Sequence, residues 1–410
     1  MPTSSSHPEL EGAARSATAS QQDRANSPIT NRWGLVPARK IDVDHRSVFR
    51  GREGQAFNHQ AQLASDGQRL YASWSSGAVD EEASGQQMVM AASDDEGRTW
   101  SAPTIVAPSR PGRYAPSVVV SSGIRVHGDL LIAYAGEWER WEPERNSARE
   151  AERAAAGQTS LDLRTEARVS RDRGLTWSAP TLVVRNQFGF LTPAPTRSGR
   201  VILPGHLTCA FTDDPAGLVG WRRSVLPGLP ADYVDDWYGR NRGAGLMGSE
   251  HRFNEAGFFQ TGDGVIHMMM RNENNTRMGV AESRDDGGSW SRPVLTDFTN
   301  SVSRSHFGRL PEGRWFCVSC PNPHGAGASP STRTPRTPVV LALSTDGIVF
   351  DRHFILGDEP QESARIPGHL KHGRYGYPYL QLMGEHGFVV YSTNKEDINV
   401  LRFRIADLSD

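Results

Sequence analysis

His59 stands in Phe57-Asn58-His59-Gln60, immediately ahead of the apolar run Ala61-Gln62-Leu63. An imidazole at the start of a strand could serve as general acid or base near neutral pH, although a lone histidine is as readily a core residue. Arg113 and Tyr114, in Arg113-Tyr114-Ala115-Pro116-Ser117, set a cation beside a phenol, and His206 follows Gly205 in the same kind of position. Glu255 lies in Asn254-Glu255-Ala256-Gly257 and Arg271 in Met268-Met269-Met270-Arg271, on runs joined by the turn Asp263-Gly264. That spacing lets carboxylate and guanidinium face one cavity, or form a structural ion pair between strands. Arg304 and His306 make another polar cluster ahead of Phe307, and Tyr377 sits in Arg374-Tyr375-Gly376-Tyr377-Pro378-Tyr379, with Lys395 following in Asn394-Lys395-Glu396. A phenol held among cations can serve as nucleophile or proton donor.

These residues need elements to hold them, and the chain shows its elements by repetition. Ser93-Asp94-Asp95-Glu96-Gly97-Arg98-Thr99-Trp100 recurs as Ser170 to Trp177 and Ser283 to Trp290, with a degenerate copy at Ser344 to Phe350. In the pattern Ser-x-Asp-x-Gly-x-Thr/Ser-Trp, the aspartate accepts from backbone N–H groups of its own turn and the glycine supplies a positive φ. Alternating apolar residues precede each copy, so each belongs on a β-hairpin whose Trp buries its ring against a neighbour. The boxes resemble the Asp boxes of sialidase-type β-propellers. That resemblance implies an all-β chain built as a ring of blades.

At about 40 to 60 residues per blade, boxes starting at residues 93, 170, 283 and 344 read as one blade with an insertion, two blades, and one more. Extra strand signal before the first box and after the last favours seven blades over six. Closure of the ring calls for the strand near Ile41 and Leu401-Arg402-Phe403-Arg404 to meet, because an open ring leaves unpaired edges. Residues 1–32 lack any apolar period and read as a disordered arm, leaving 33–410 as one propeller. The Ala/Glu/Arg-rich stretch Trp138 to Ala156 reads as a short surface helix, and the Gly/Pro-rich stretch Phe211 to Met247 as a loop lining a pocket.

Composition narrows the partners. With 45 basic and 47 acidic residues the net charge is −2, which offers nucleic acid no broad basic field. No run of about 20 apolar residues is present to span a membrane, and Met1 to Arg32 shows no signal-peptide core. A cytoplasmic monomer is expected, or a secreted protein if the start is mis-assigned. Cys317 and Cys320 read as two small residues on one face of a strand. No metal and no cofactor is expected, since neither zinc nor calcium ligand spacing is visible.

From about residue 40 to 405 the chain resembles the sialidase superfamily. The resemblance implies that Glu255 matches the partner of the nucleophilic tyrosine, Arg271 the second arginine of a carboxylate-binding triad, and Tyr377 the nucleophile. Where sialidases carry Arg-Ile-Pro on the first inner strand, this chain has Phe57 to Gln60. With Trp74-Ser75 and Val79-Asp80-Glu81, that segment is similar to propeller α-L-rhamnosidases and rhamnose-glucuronate lyases. This second resemblance implies cleavage of a terminal, L-rhamnose-like sugar from a uronic-acid-containing glycan or oligosaccharide. His59 would be acid/base in hydrolysis or β-elimination, Arg271 or Arg113 would neutralise the uronate, and Tyr377 would carry a proton. An exo-α-sialidase and a non-catalytic glycan-binding propeller are the alternatives.

Overall fold

The computed structural model describes residues 29–113, 115–140, 160–235, 252–273, 277–321, 336–368 and 371–409. Six sheets of four antiparallel strands each, one with an added parallel strand, form the blades of a propeller. Blade 1 is Phe57–Ser65, Leu70–Gly77, Gln87–Ser93 and Thr104–Ala107. Blade 2 is Val118–His127, Leu130–Arg140, Ser160–Ser170 and Thr181–Arg185. Blade 3 is Ala194–Pro195, Val201–Pro204, Thr208–Thr212 and Arg222–Val225. Blade 4 is Phe253–Gln260, Ile266–Asn272, Arg277–Ser283 and Val294–Thr299. Blade 5 is His306–Arg309, Trp315–Ser319, Val339–Ser344 and Arg352–Gly357, the last flanked in parallel by Ala38–Lys40. Blade 6 is Gly376–Met383, His386–Thr393 and Asp397–Arg404, completed by Asp44–Phe49 from the other end of the chain.

That closure explains why seven blades were expected and six are found. The strand signal before the first box and the signal after the last are two parts of one blade, with Leu401 paired to His45 and Val400 to Arg46. Strands run as near-continuous buried stretches because each blade is covered on both faces. An apolar cluster fills each of the six gaps between neighbouring blades. Cys317 belongs to the cluster between blades 4 and 5 and Cys320 to the one between blades 5 and 6. They therefore point to opposite faces, as a spacing of three in an extended chain demands, and not to one face. Burial pushes both thiols up to about 12.

The boxes join strands 3 and 4 of their blades. Asp95 Oδ1 accepts the Thr99 N–H at 2.9 Å, its Oδ2 accepts the Thr99 hydroxyl at 2.6 Å, and Ser93 Oγ accepts the Gly97 N–H at 2.8 Å. Trp100, Trp177 and Trp290 each pack into the cluster between their own blade and the preceding one. A fifth, irregular box lies in blade 3. There Asp214 accepts the N–H groups of Ala216, Leu218 and Val219, Gly217 has φ of 74°, and Trp221 Nε1 donates to the Gly217 carbonyl.

Ile29 is buried and Thr30–Asn31 pair with Val349–Phe350, so residues 29–32 pack on the propeller instead of joining the arm. Trp138 to Arg140 are strand, not helix, and 141–159 lie outside the described residues, as do residues 1–28 of the arm and 236–247 of the Phe211 to Met247 stretch. Among the described residues no helix is long and apolar enough to cross a membrane, and no group of three or more His, Cys, Asp or Glu is placed to hold a metal ion.

Candidate active site

Within each complete blade the inner strand enters from one face of the ring and strand 3 ends at the other, where the boxes lie. The starts of inner strands and the connections between strands 2 and 3 therefore share the face opposite the boxes. A cavity of about 360 Å³ opens on that face.

Three inner strands carry a bulge whose own left-handed residue lines it. The register skips between His59 and Gln62, between Asn254 and Gly257, and between Gly376 and Tyr379. At these bulges Gln60, Glu255 and Tyr377 adopt φ of 57°, 44° and 56°, in the left-handed region that side chains disfavour. Each bulge turns its side chain out of the sheet, and all three line the cavity.

Tyr377 Oη donates to Glu255 Oε1 at 2.5 Å and accepts from Arg271 Nη1 at 2.7 Å, while Arg271 Nη1 also reaches Glu255 Oε2 at 2.5 Å. Phenol, carboxylate and guanidinium thus close a triangle, with all three residues buried. Burial pushes the Tyr377 phenol well above its ordinary value; Arg271 pulls it down and Glu255 pushes it up again. Burial works against the Arg271 charge, but Glu255, Tyr377 and Glu273 outweigh it and hold its pKa high. The Tyr377 phenol is therefore held neutral, with its O–H directed at Glu255 Oε1.

More cations surround the ring. The guanidinium carbons of Arg304 and Arg336 lie 5.0 and 5.1 Å from its centroid. Arg336 lines the cavity, gives Nη2 to the Val302 carbonyl at 3.1 Å, and leaves Nε and Nη1 buried without a hydrogen bond among the described residues. Lys395 and Glu81 line it as an ion pair. Burial lowers the Lys395 pKa against the pull of Glu81, whereas Lys395 overrides burial to hold the Glu81 carboxyl low. His372, also at the wall, is pushed down to about 3 by burial, Arg336 and Lys395.

Of the residues singled out in the sequence, Tyr377, Glu255, Arg271, His206 and Lys395 meet at this cavity. His59 stands behind it. Its ring lies 4.2 Å from that of Tyr377, Nδ1 meets Ser392 Oγ at 2.6 Å, and Nε2 has no hydrogen-bond partner among the described residues. Burial, then Lys395 and Arg336, hold the His59 ring well below its ordinary pKa. Arg304 also stays behind, donating Nη1 to the Phe190 carbonyl. His306 stacks on Tyr379 at 3.8 Å and accepts the Leu380 N–H at Nδ1. Arg113 lines a different cavity, beside Glu139 and Arg164, and Tyr114 lies outside the described residues.

Arg336, His372, Gln60, Glu82 and Glu273 line the cavity without having been singled out. Only Gln60 had a signal, as the residue after His59. Arg365-Ile366-Pro367 is not at the cavity; the Arg365 and Ile366 N–H groups bind the Glu396 carboxylate.

The profile of a family described as BNR repeat-like domain matches residues 68–390. No curated protein matches the sequence. Among solved structures, a protein of unknown function from Dyadobacter fermentans is 13% identical with a TM-score of 0.61, over 90% of this chain and 99% of its own. Trypanosoma rangeli sialidase in complex with 2,3-difluorosialic acid, described as a covalent intermediate, is 16% identical with a TM-score of 0.59. That match takes in 91% of this chain but only 60% of the sialidase. An intramolecular trans-sialidase from Ruminococcus gnavus, in complex with oseltamivir carboxylate, is 12% identical with a TM-score of 0.58, over 88% of this chain and 98% of its own. At such identities the likeness is one of fold.

Proposed function

The chain belongs to the BNR repeat-like domain family, and from that premise we propose that it is a glycosidase releasing a terminal acidic sugar from an oligosaccharide or glycan, with Tyr377 as nucleophile. The observation that carries this reading is the Tyr377 hydroxyl, held between Glu255 at 2.5 Å and Arg271 at 2.7 Å in the wall of a sugar-sized cavity. In the first step Tyr377 Oη bonds to the anomeric carbon as its proton passes to Glu255 Oε1, and the bond to the leaving oxygen breaks. That oxygen takes a proton from the Glu82 carboxyl in the cavity wall, Glu81 being held as a carboxylate by Lys395. Water then attacks the glycosyl-tyrosine as it gives a proton back to the Glu82 carboxylate, and the phenol leaves with the proton Glu255 received. Arg271 opposes the build-up of charge on Tyr377 and Glu255 throughout. The unpaired N–H groups of Arg336 suit the sugar's carboxylate. The covalent intermediate described for the trypanosomal sialidase fits the same scheme.

A second reading keeps His59 as the proton-transfer group on a rhamnosyl-uronate, by hydrolysis or elimination. Its support is the buried, unpartnered Nε2 of His59 beside Tyr377. One panel of acidic glycosides tests both. Tyr377→Phe is expected to lose at least about 10²-fold in kcat, and a fluorinated substrate analogue should add its mass to the peptide carrying Tyr377. Full activity in Tyr377→Phe overturns the first reading. Loss confined to His59→Ala, with an ultraviolet absorbance growing as a double bond conjugated with the uronate carboxylate forms, would favour the second. Binding without cleavage throughout would make the propeller a lectin.

A further inference from the structure

We propose that Asp235 and the Gly205-His206-Leu207 turn of blade 3 position the Glu255 carboxylate of blade 4, with the His206 imidazole serving as a backbone acceptor and not as an acid or base. The inference rests on the reading of Tyr377 and Glu255 as the reacting pair.

The need for a support follows from the backbone. A glutamate at φ of 44° is costly and persists only where its surroundings over-determine it. At this bulge the pairing of Phe253–Gln260 with Ile266–Asn272 jumps from Asn254 opposite Arg271 to Gly257 opposite Met269. Glu255 and Ala256 thereby lose their ladder partners.

Blade 3 supplies replacements. The Glu255 N–H donates to His206 Nδ1 at 3.0 Å and the Ala256 N–H to the Gly205 carbonyl at 3.1 Å. A ring nitrogen that accepts carries no proton, so the neutral ring has its hydrogen on Nε2. The ring is fixed from the side by Phe190, at 4.3 Å, and by the edge of Phe188.

Asp235 holds the turn itself. Its Oδ2 accepts the His206 N–H at 2.6 Å and the Thr208 hydroxyl at 2.9 Å, and its Oδ1 accepts the Leu207 N–H at 3.0 Å. The Asp235 N–H is tied to the Asn186 carbonyl at 2.9 Å, which anchors the arrangement to the end of blade 2. A Cβ on Gly205 would stand 2.2 Å from Asp235 Oδ2 and 2.6 Å from Thr208 Oγ1, so this approach requires glycine. Burial pushes the Asp235 carboxyl up to about 6 despite these bonds, a cost accepted for three convergent hydrogen bonds. Asparagine cannot replace it, because its NH₂ would meet a donor on whichever side it turned.

The test uses the two amides that mimic the two ring nitrogens. Asparagine brings an oxygen close to the place of Nδ1, glutamine close to that of Nε2. Against His206→Ala, expected to lose about 10²-fold in kcat with KM changed less than about twofold, His206→Asn should recover most of the loss and His206→Gln little. Asp235→Asn should share the kcat signature. If Gln rescues and Asn does not, His206 acts through Nε2 and the proposal fails; equal activity in all three variants also overturns it. Crystal structures of His206→Ala and His206→Asn give a readout independent of any substrate. Glu255 should leave its left-handed conformation and its contact with Tyr377 in the first and keep both in the second, and an unmoved Glu255 in His206→Ala refutes the role. Should the glycosidase reading fail, this geometric outcome still decides.

Discussion

At the scale of single residues, the site is a contest between burial and charge that charge wins only by pairing. Arg271 pairs with Glu255, and Lys395 with Glu81. Arg304 and Arg336 each leave two buried N–H donors unmatched among the described residues, and of the two Arg336 lines the cavity. Unmatched donors of this kind cost about 1–3 kcal/mol, a deficit that a bound carboxylate removes. Arg336→Met is therefore expected to raise KM for an acidic glycoside at least about tenfold, while KM for the corresponding sugar amide changes little. Equal KM changes for both substrates would place the carboxylate elsewhere. Tyr377, Glu255 and Arg271 were legible because each stands in a run with strand character and a family pattern. Arg336 and His372 were not, since both lie in connections with no period to locate them. His59 was placed at the right strand, but facing follows from the bulge, which gives the cavity to Gln60.

At the scale of elements, boxes and bulges divide the work between the two faces of the ring. Boxes fasten strand 3 to strand 4 on one face; bulges on the other break the ladder to aim side chains. Asp95→Ala removes the acceptor for Thr99 N–H, Thr99 Oγ1 and Ser93 Oγ, so it should cost about 1 kcal/mol of stability after solvent screening, with kcat unchanged. The hydrogen bonds of Thr99 hold the Asp95 carboxyl down to about 2. A depressed carboxyl contributes stability above its unfolded value near ~3.9 and loses it as pH falls toward the folded one. Melting curves of the variant and the parent should therefore converge between about pH 4 and pH 2. A variant that loses activity while fully folded would contradict the division between faces. The regular boxes were legible because each keeps its spacing. The blade 3 box escaped because extra residues separate Asp214 from Gly217 and Gly217 from Trp221, although its hydrogen bonds remain.

At the scale of the whole molecule, the number of boxes and the number of blades are linked by the closure. Blades 1 to 5 each run from strand 3 to strand 4 through a box or its variant, whereas in blade 6 strand 3 ends in the short helix Ile405–Leu408 and strand 4 comes from Asp44–Phe49. A sequence read from either end meets half of that blade, which is why counting each half separately overshoots by one. Chains that begin at residue 41 or at residue 51 distinguish ornament from closure. The first loses Thr30–Asn31 and Ala38–Lys40, both added in parallel outside complete blades, and should melt somewhat lower while keeping the ring. The second also loses Val48 and Phe49 from the cluster between blades 6 and 1, each worth about 1.5–3 kcal/mol of burial. It further bares the edge of Asp397–Arg404, a template for pairing with another chain. We expect the 51-start chain to associate on size exclusion and to melt without a cooperative transition, and a peptide spanning residues 41–50 to restore the transition when added. Cooperative melting of the 51-start chain within a few degrees of the 41-start chain would show that blade 6 stands without its outer strand, because the deleted burial alone is a large share of the ~5–15 kcal/mol that holds a typical domain together.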